Sequence, residues 1–285
     1  MSLRSLLRSG LDLVLGDDSR EPPPIPDGLP PEVAPIAAAA VAGLSTYQNA
    51  EYAELYLSRL ARFSRRPGMP TDLLLEIAGH LATRMSYRDP IYLAQLKLEQ
   101  LAGQQAPGDN LEAVRFPLSD VVSLLPEAAA SGAVVALGLI GWSNLRMPMR
   151  FTAKTKAGVL KLKAIALLRR LRPQSLRYPK ERALVERWLH MIDRSLAKRP
   201  DAALDVARTA AIIQGSGDVY HRNVARWDVV IDNLVKPTFD GTIEIADLRG
   251  AVASLVAAAT HGMEPDRLRQ LIDEIKSSQP RPAVA

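Results

Sequence analysis

What most constrains the fold is a helical period in the apolar residues, with almost no period-two pattern beside it. Leu74, Ile77, Ala78 and Leu81 recur at i, i+3, i+4 and i+7. That spacing lines one face of an α-helix, whereas a half-buried strand needs strict alternation. Tyr47, Tyr52, Tyr56 and Leu60 keep a similar register, as do Leu184, Trp188, Met191 and Ile192. Leu160, Ala164, Leu167, Leu168 and Leu171 make a further stripe, flanked by Lys161, Lys163, Arg169 and Arg170. No alternating run is sustained and no tandem repeat is visible. The expected fold is all-α, a helical bundle of about eight to ten helices.

Proline marks the clearest boundary. Seven prolines lie between Arg20 and Pro35. Each fixes φ and removes a donor, so the stretch reads as an extended tether. Ahead of it, Leu3, Leu6, Leu7, Leu11 and Val14 suggest a short amphipathic helix. The expected organisation is an N-terminal helix at 1–19, a linker at 20–35 and a helical domain at 36–236. A helical extension at 237–278 and a disordered tail at 279–285 complete it. Thr46, Thr71 and Asp218 stand where helix N-caps belong, and Pro90 fits a first helical turn. Lys236–Gly241 reads as a loop, Pro107–Asn110 as a turn and Asn144–Phe151 as irregular chain.

The most apolar run, Ala128 to Trp142, is 15 residues long and holds Ser131 and three glycines. A bilayer needs about 20 residues, so the run reads as a buried core helix, with a membrane span as the alternative. The opening residues have no uninterrupted apolar centre and no small-residue cleavage site, so cytoplasm is the default. There is no cysteine. That excludes disulfides, a thiolate nucleophile and any cysteine-ligated metal or cluster within this chain.

Charge is distributed unevenly. Asn144 to Arg199 contains 16 Lys+Arg against Glu181, Glu186 and Asp193, a net +13. The whole chain carries +5, so the remainder carries −8. Within the basic middle, the candidates for binding an anion or an acidic partner are Arg146, Arg150, Lys154, Lys156, Lys161, Lys163, Arg169, Arg170 and Arg172. Nucleic acid is disfavoured, because neither stacking aromatics nor a recognition helix accompanies them. The plainer reading is a solvated helix face, or pairing with the chain's own acidic ends.

The densest polar cluster is Gln214–Asn223, QGSGDVYHRN. Gly215, Gly217, Asp218, His221 and Arg222 meet there between two helices, where free backbone amides bind anions. The plainer reading is that glycine ends one helix and Asp218 caps the next. The GK[ST] ending of a phosphate loop is missing. His80, His190, His221 and His261 show no metal-ligand spacing, and no catalytic constellation stands out.

Several segments carry a resemblance. Ser45–Leu60 (STYQNAEYAELYLSRL) resembles the opening of the helical C-terminal region of indolepyruvate ferredoxin oxidoreductases. His80–Leu98 (HLATRMSYRDPIYLAQLKL) resembles its second signature. Met149–Arg172 followed by Arg177–Leu189 is similar to its basic helix pair, and Gln214–Asn223 to its glycine–acid–basic junction. The resemblance implies an accessory, non-catalytic helical subunit of a 2-oxoacid ferredoxin oxidoreductase. Its basic face would dock an acidic partner, either ferredoxin or a catalytic subunit. In that family thiamine diphosphate, iron–sulfur clusters and coenzyme A belong to other domains, so those cofactors are expected only in partner subunits. The resemblance transfers no catalytic residue. Two further readings stand beside it: a stand-alone module binding a phosphorylated cofactor or nucleic acid, and an enzyme using His221 with Asp218.

Overall fold

Beyond the tether, helices follow one another with few interruptions. The computed structural model describes residues 21–103, 113–142, 145–151 and 155–278. The helix expected at 1–19, the turn at Pro107–Asn110, Lys154 and the tail at 279–285 lie outside the described residues. Four helices come first: α1 (Ala34–Tyr47), α2 (Ala50–Ser64), α3 (Thr71–Met85) and α4 (Pro90–Leu101). A strand, β1 (Ala113–Pro117), leads into α5 (Leu118–Val122) and α6 (Glu127–Leu139). Strand β2 (Arg146–Arg150) precedes α7 (Lys156–Leu167) and a 3₁₀ turn at Leu168–Gln174. Then come α8 (Arg177–Lys198), α9 (Ala203–Arg208), α10 (Asp218–Val230), α11 (Lys236–Asp240), α12 (Leu248–Thr260) and α13 (Pro265–Ser277). The fold is all-α, with one small two-stranded ribbon.

The main core joins the two ends of the chain. Tyr56, Phe63, Ile77 and Leu81 from α2 and α3 pack with Trp188 and Ile192 of α8, Trp227 of α10, Leu255 of α12 and Ile272 of α13. The stripes read from α2, α3 and α8 therefore face inward, apart from Leu184, which is partly buried. Trp188 and Trp227 are buried with their indole N–H groups satisfied by Ala207 O and Thr209 Oγ1. Ile25 and Leu29 of the tether pack on the same core. Residues on both sides of position 236 share it, and α10 continues through a wide turn at Ile231–Val235 into α11. A second, smaller cluster holds Leu93 and Leu96 of α4, Phe116 of β1, Phe151 just after β2 and Leu162 of α7.

Several local expectations need correction. Asn144–Phe151 is mostly strand β2, antiparallel to β1 with Val114 opposite Met149 and Phe116 opposite Met147. Five-residue strands carrying Pro117 and Pro148 are too short and too proline-marked to show a period of two. Lys236–Gly241 is helical up to Asp240, and Gly241 ends it in the left-handed conformation. The wide turn just before Pro237 spares the helix both the missing donor and the ring clash that proline brings. Asn49, not Thr46, caps α2 by accepting from Tyr52 N at 2.9 Å. Thr71 and Asp218 are the first residues of their helices, after Pro70 and Gly217.

Two apolar faces point outward rather than inward. Ala128–Trp142 is not a core helix: it forms α6 and a turn, with Leu139 84% and Trp142 55% exposed. Its alanines, glycines and valines leave no polar face to mark which side would meet solvent. On α7, Leu160 is 69% exposed, and Leu167 and Leu168 also face outward. Leu162 is the buried residue of that helix, with Ile165 and Ala166 packed beside it. Among the described residues, no helix is long and apolar enough to cross a membrane.

Candidate functional site

A cleft of about 400 Å³ opens where the start of α8 meets α5 and α10. Asp120 reaches it because β1 runs directly into the short helix α5. Gly217 lets β1 come that close: its φ is +56°, and a Cβ there would stand 2.3 Å from Arg115 O. Asp120 is buried and both of its carboxylate oxygens face His221 Nε2, at 2.9 and 2.8 Å. An ionised carboxylate only accepts, so Nε2 carries the hydrogen. Nδ1 is the ring nitrogen left over.

Arg177 lies across the cleft and is buried. Its Nε donates to Glu181 Oε1 at 2.9 Å. Nη1 lies 3.8 Å from Asp120 Oδ2, and neither Nη1 nor Nη2 has a hydrogen-bond partner. The Tyr87 and Tyr220 rings flank the guanidinium, 5.0 and 5.1 Å from its carbon. Glu181 also accepts from the Tyr220 hydroxyl at 2.6 Å and lies 3.7 Å from Arg84 Nη2. Burial works against the charge on Arg177, and Glu181 more than offsets it, so the group is held charged. Burial, then Glu181, pushes the Tyr220 hydroxyl above its ordinary value, so it stays protonated and donates.

The predicted residues divide between inside and outside. Arg172 is corrected from an exposed candidate to a fully buried one. Its Nε and Nη2 donate to Asp89 at 2.9 and 3.1 Å, Nη1 donates to Tyr47 O at 2.7 Å, and its plane stacks 3.8 Å from the Tyr47 ring. Arg169 Nη1 donates to Thr46 O at 2.9 Å, and Arg170 is half-buried. Arg150, Lys156, Lys161 and Lys163 are exposed on β2 and α7. Arg146 pairs with Asp218, so the basic middle and the glycine junction do meet. Asp218 is thus engaged away from His221, whose partner is Asp120. Gly215 and Gly217 both take positive φ, and Arg222 is exposed.

Sequence reading missed Asp120, Arg177 and Glu181 as site residues. The spacing of Arg177 and Glu181 at i, i+4 was a usable signal for a pair. Nothing local marks Asp120, which lies 101 residues from its histidine. Among the described residues, no group of three or more His, Asp or Glu is placed to hold a metal ion.

The segments of the resemblance converge on one buried network. Tyr47, Asp89 and Arg172 form one group and Arg84, Tyr87, Arg177, Glu181 and Tyr220 another, drawn from all of these segments, and the Tyr47 hydroxyl joins the two by donating to Tyr87 O at 3.1 Å. Residues 33–233 match the model of a family described as a family of unknown function, DUF6537. That span includes the cleft, the buried network and both outward apolar faces. No curated protein and no solved structure matches the chain.

Proposed function

We propose a docking role for this chain, which belongs to DUF6537, a family of unknown function. In this reading it is a non-catalytic helical subunit or domain of a 2-oxoacid ferredoxin oxidoreductase, with the thiamine and cluster chemistry supplied by its partners. The observation that carries the docking role is the exposure of large apolar side chains on α6, on the turn after it and on α7. Val135, Leu139, Ile140, Trp142, Leu145 and Leu160 are each more than half exposed. Exposed apolar groups on this scale mark interaction surfaces when polar residues surround them. Arg150, Lys156, Lys161 and Lys163 provide such surroundings and select an acidic partner.

The oxidoreductase assignment rests on the resembling segments. Its support is that those segments are not scattered: their polar residues build one buried network that holds the bundle together. Sedimentation velocity with purified catalytic subunits of such an oxidoreductase tests the reading. The expected result is a complex that Leu139→Glu abolishes and that salt weakens. Separate sedimentation of wild-type chain and subunits, with turnover indifferent to the chain, would refute it.

A further inference from the structure

The cleft between α5, α8 and α10 has features that the docking role does not use. A buried arginine normally spends its five donors on acceptors. Arg177 commits Nε to Glu181 and has the Asp120 carboxylate 3.8 Å from Nη1, and it leaves both Nη groups, enclosed at the wall of a cleft of about 400 Å³, without a hydrogen bond among the described residues. Two parallel N–H groups on one guanidinium match the two oxygens of a carboxylate. The Tyr87 and Tyr220 rings on its flanks hold that fork in place. Lys180 adds an exposed ammonium at the rim, one turn along α8.

The acids of the cleft define the anion further. Asp120 is taken up by His221, and Glu181 by Tyr220 and Arg177 Nε. Arg84 approaches Glu181 but lines the neighbouring depression rather than this one. Inside the cleft the two acids therefore balance Arg177 and Lys180. That balance disfavours a multiply charged phosphate and admits a monoanion. The remaining wall is apolar, with Val134, Leu176, Leu184 and Val224. Pockets of this size and composition take small organic molecules.

We propose that this cleft binds a small monocarboxylate with an apolar body, its carboxylate on the Arg177 fork and Lys180, its body against Val134 and Val224, and His221 Nδ1 beside it. The cleft shares α6 with the docking face, since Val134 lines it and the neighbouring Val135 is exposed.

The test is calorimetric titration of the full chain with 3-phenylpropanoate, with 3-phenylpropanamide and inorganic phosphate as probes of charge. His221 is followed in parallel by imidazole NMR. The chain has four histidines, so loss of one signal in His221→Gln assigns it. Saturable binding of the carboxylate alone, with a shift of the His221 resonance, is expected. Lys180→Met should weaken it roughly tenfold, as loss of one charged hydrogen bond does. Val134→Trp should fill the cleft and abolish binding. Both positions are at or near the surface, so the variants report on binding even if Arg177→Met fails to fold. No heat and no His221 shift at millimolar carboxylate would overturn the proposal. So would equal binding of the amide, binding of phosphate alone, or an unchanged affinity in both variants.

Discussion

Arg172→Met is the sharpest perturbation of the bundle itself. The guanidinium is wholly enclosed, makes two hydrogen bonds to Asp89 and one to Tyr47 O, and stacks on the Tyr47 ring. Methionine keeps much of the apolar stem but strands the Asp89 carboxylate, whose remaining partner here is Tyr92 N at 2.6 Å. Removing one member of a buried ion pair costs about 3–5 kcal/mol. Asp89→Asn should cost a similar amount, because it keeps the cap on α4 yet leaves the guanidinium buried without a counter-charge. The double variant removes both charges and should cost less than the sum, with a coupling of about 2 kcal/mol. Urea unfolding followed by far-ultraviolet circular dichroism gives all three values, and an unchanged slope shows that stability alone has moved. If Arg172→Met costs under about 1 kcal/mol, or the two costs simply add, the pair does not anchor the 3₁₀ turn to α1 and α4.

Other expectations are briefer. Gly217→Ala should destabilise by about 1–3 kcal/mol in thermal or urea unfolding, since φ is positive and the new Cβ meets Arg115 O; a neutral result would mean that β1 does not press on this turn. Iodide should quench one of the three tryptophans, and Trp142→Phe should remove the quenchable fraction, because Trp188 and Trp227 are buried. Burial lowers the His80 imidazole below its ordinary range, with Glu76 opposing. The folded state therefore disfavours the proton, and stability should be present above the ordinary histidine range and fall as pH drops through it. His80→Gln should flatten that slope in pH-dependent unfolding, and an unaltered slope would refute the assignment.

Helix period identified α2, α3 and α8 and their inward faces, because each of those helices meets the rest of the chain along a single stripe. The same reasoning failed on α7. There Leu160, Ala164, Leu167, Leu168 and Leu171 make the longer stripe, yet only Leu171 of these is partly buried and the fold covers Leu162, Ile165 and Ala166 instead. Period shows that a face is apolar, not which molecule covers it. On α6 the apolar residues surround the helix, so neither its orientation nor its exposure could be read. The buried pairs were illegible for a different reason: Asp89 and Arg172 are 83 positions apart, and Asp120 and His221 are 101. A charge that will be buried looks the same in sequence as one that will be solvated. In sequence Arg172 therefore reads like the surface lysines beside it. The glycines of the junction were legible as a turn, whereas their service to β1 depends on a strand too short to announce itself.

The docking claim is tested most directly at Trp142. Iodide quenching of the wild-type chain, measured alone and then with saturating catalytic subunits of a 2-oxoacid ferredoxin oxidoreductase, reports whether the α6 face becomes covered. Trp142→Phe supplies the background from the chain and its partner. The account predicts that the quenchable fraction present in the free chain is lost in the mixture and returns in Leu139→Glu. Full quenching that persists with every partner subunit present would contradict it.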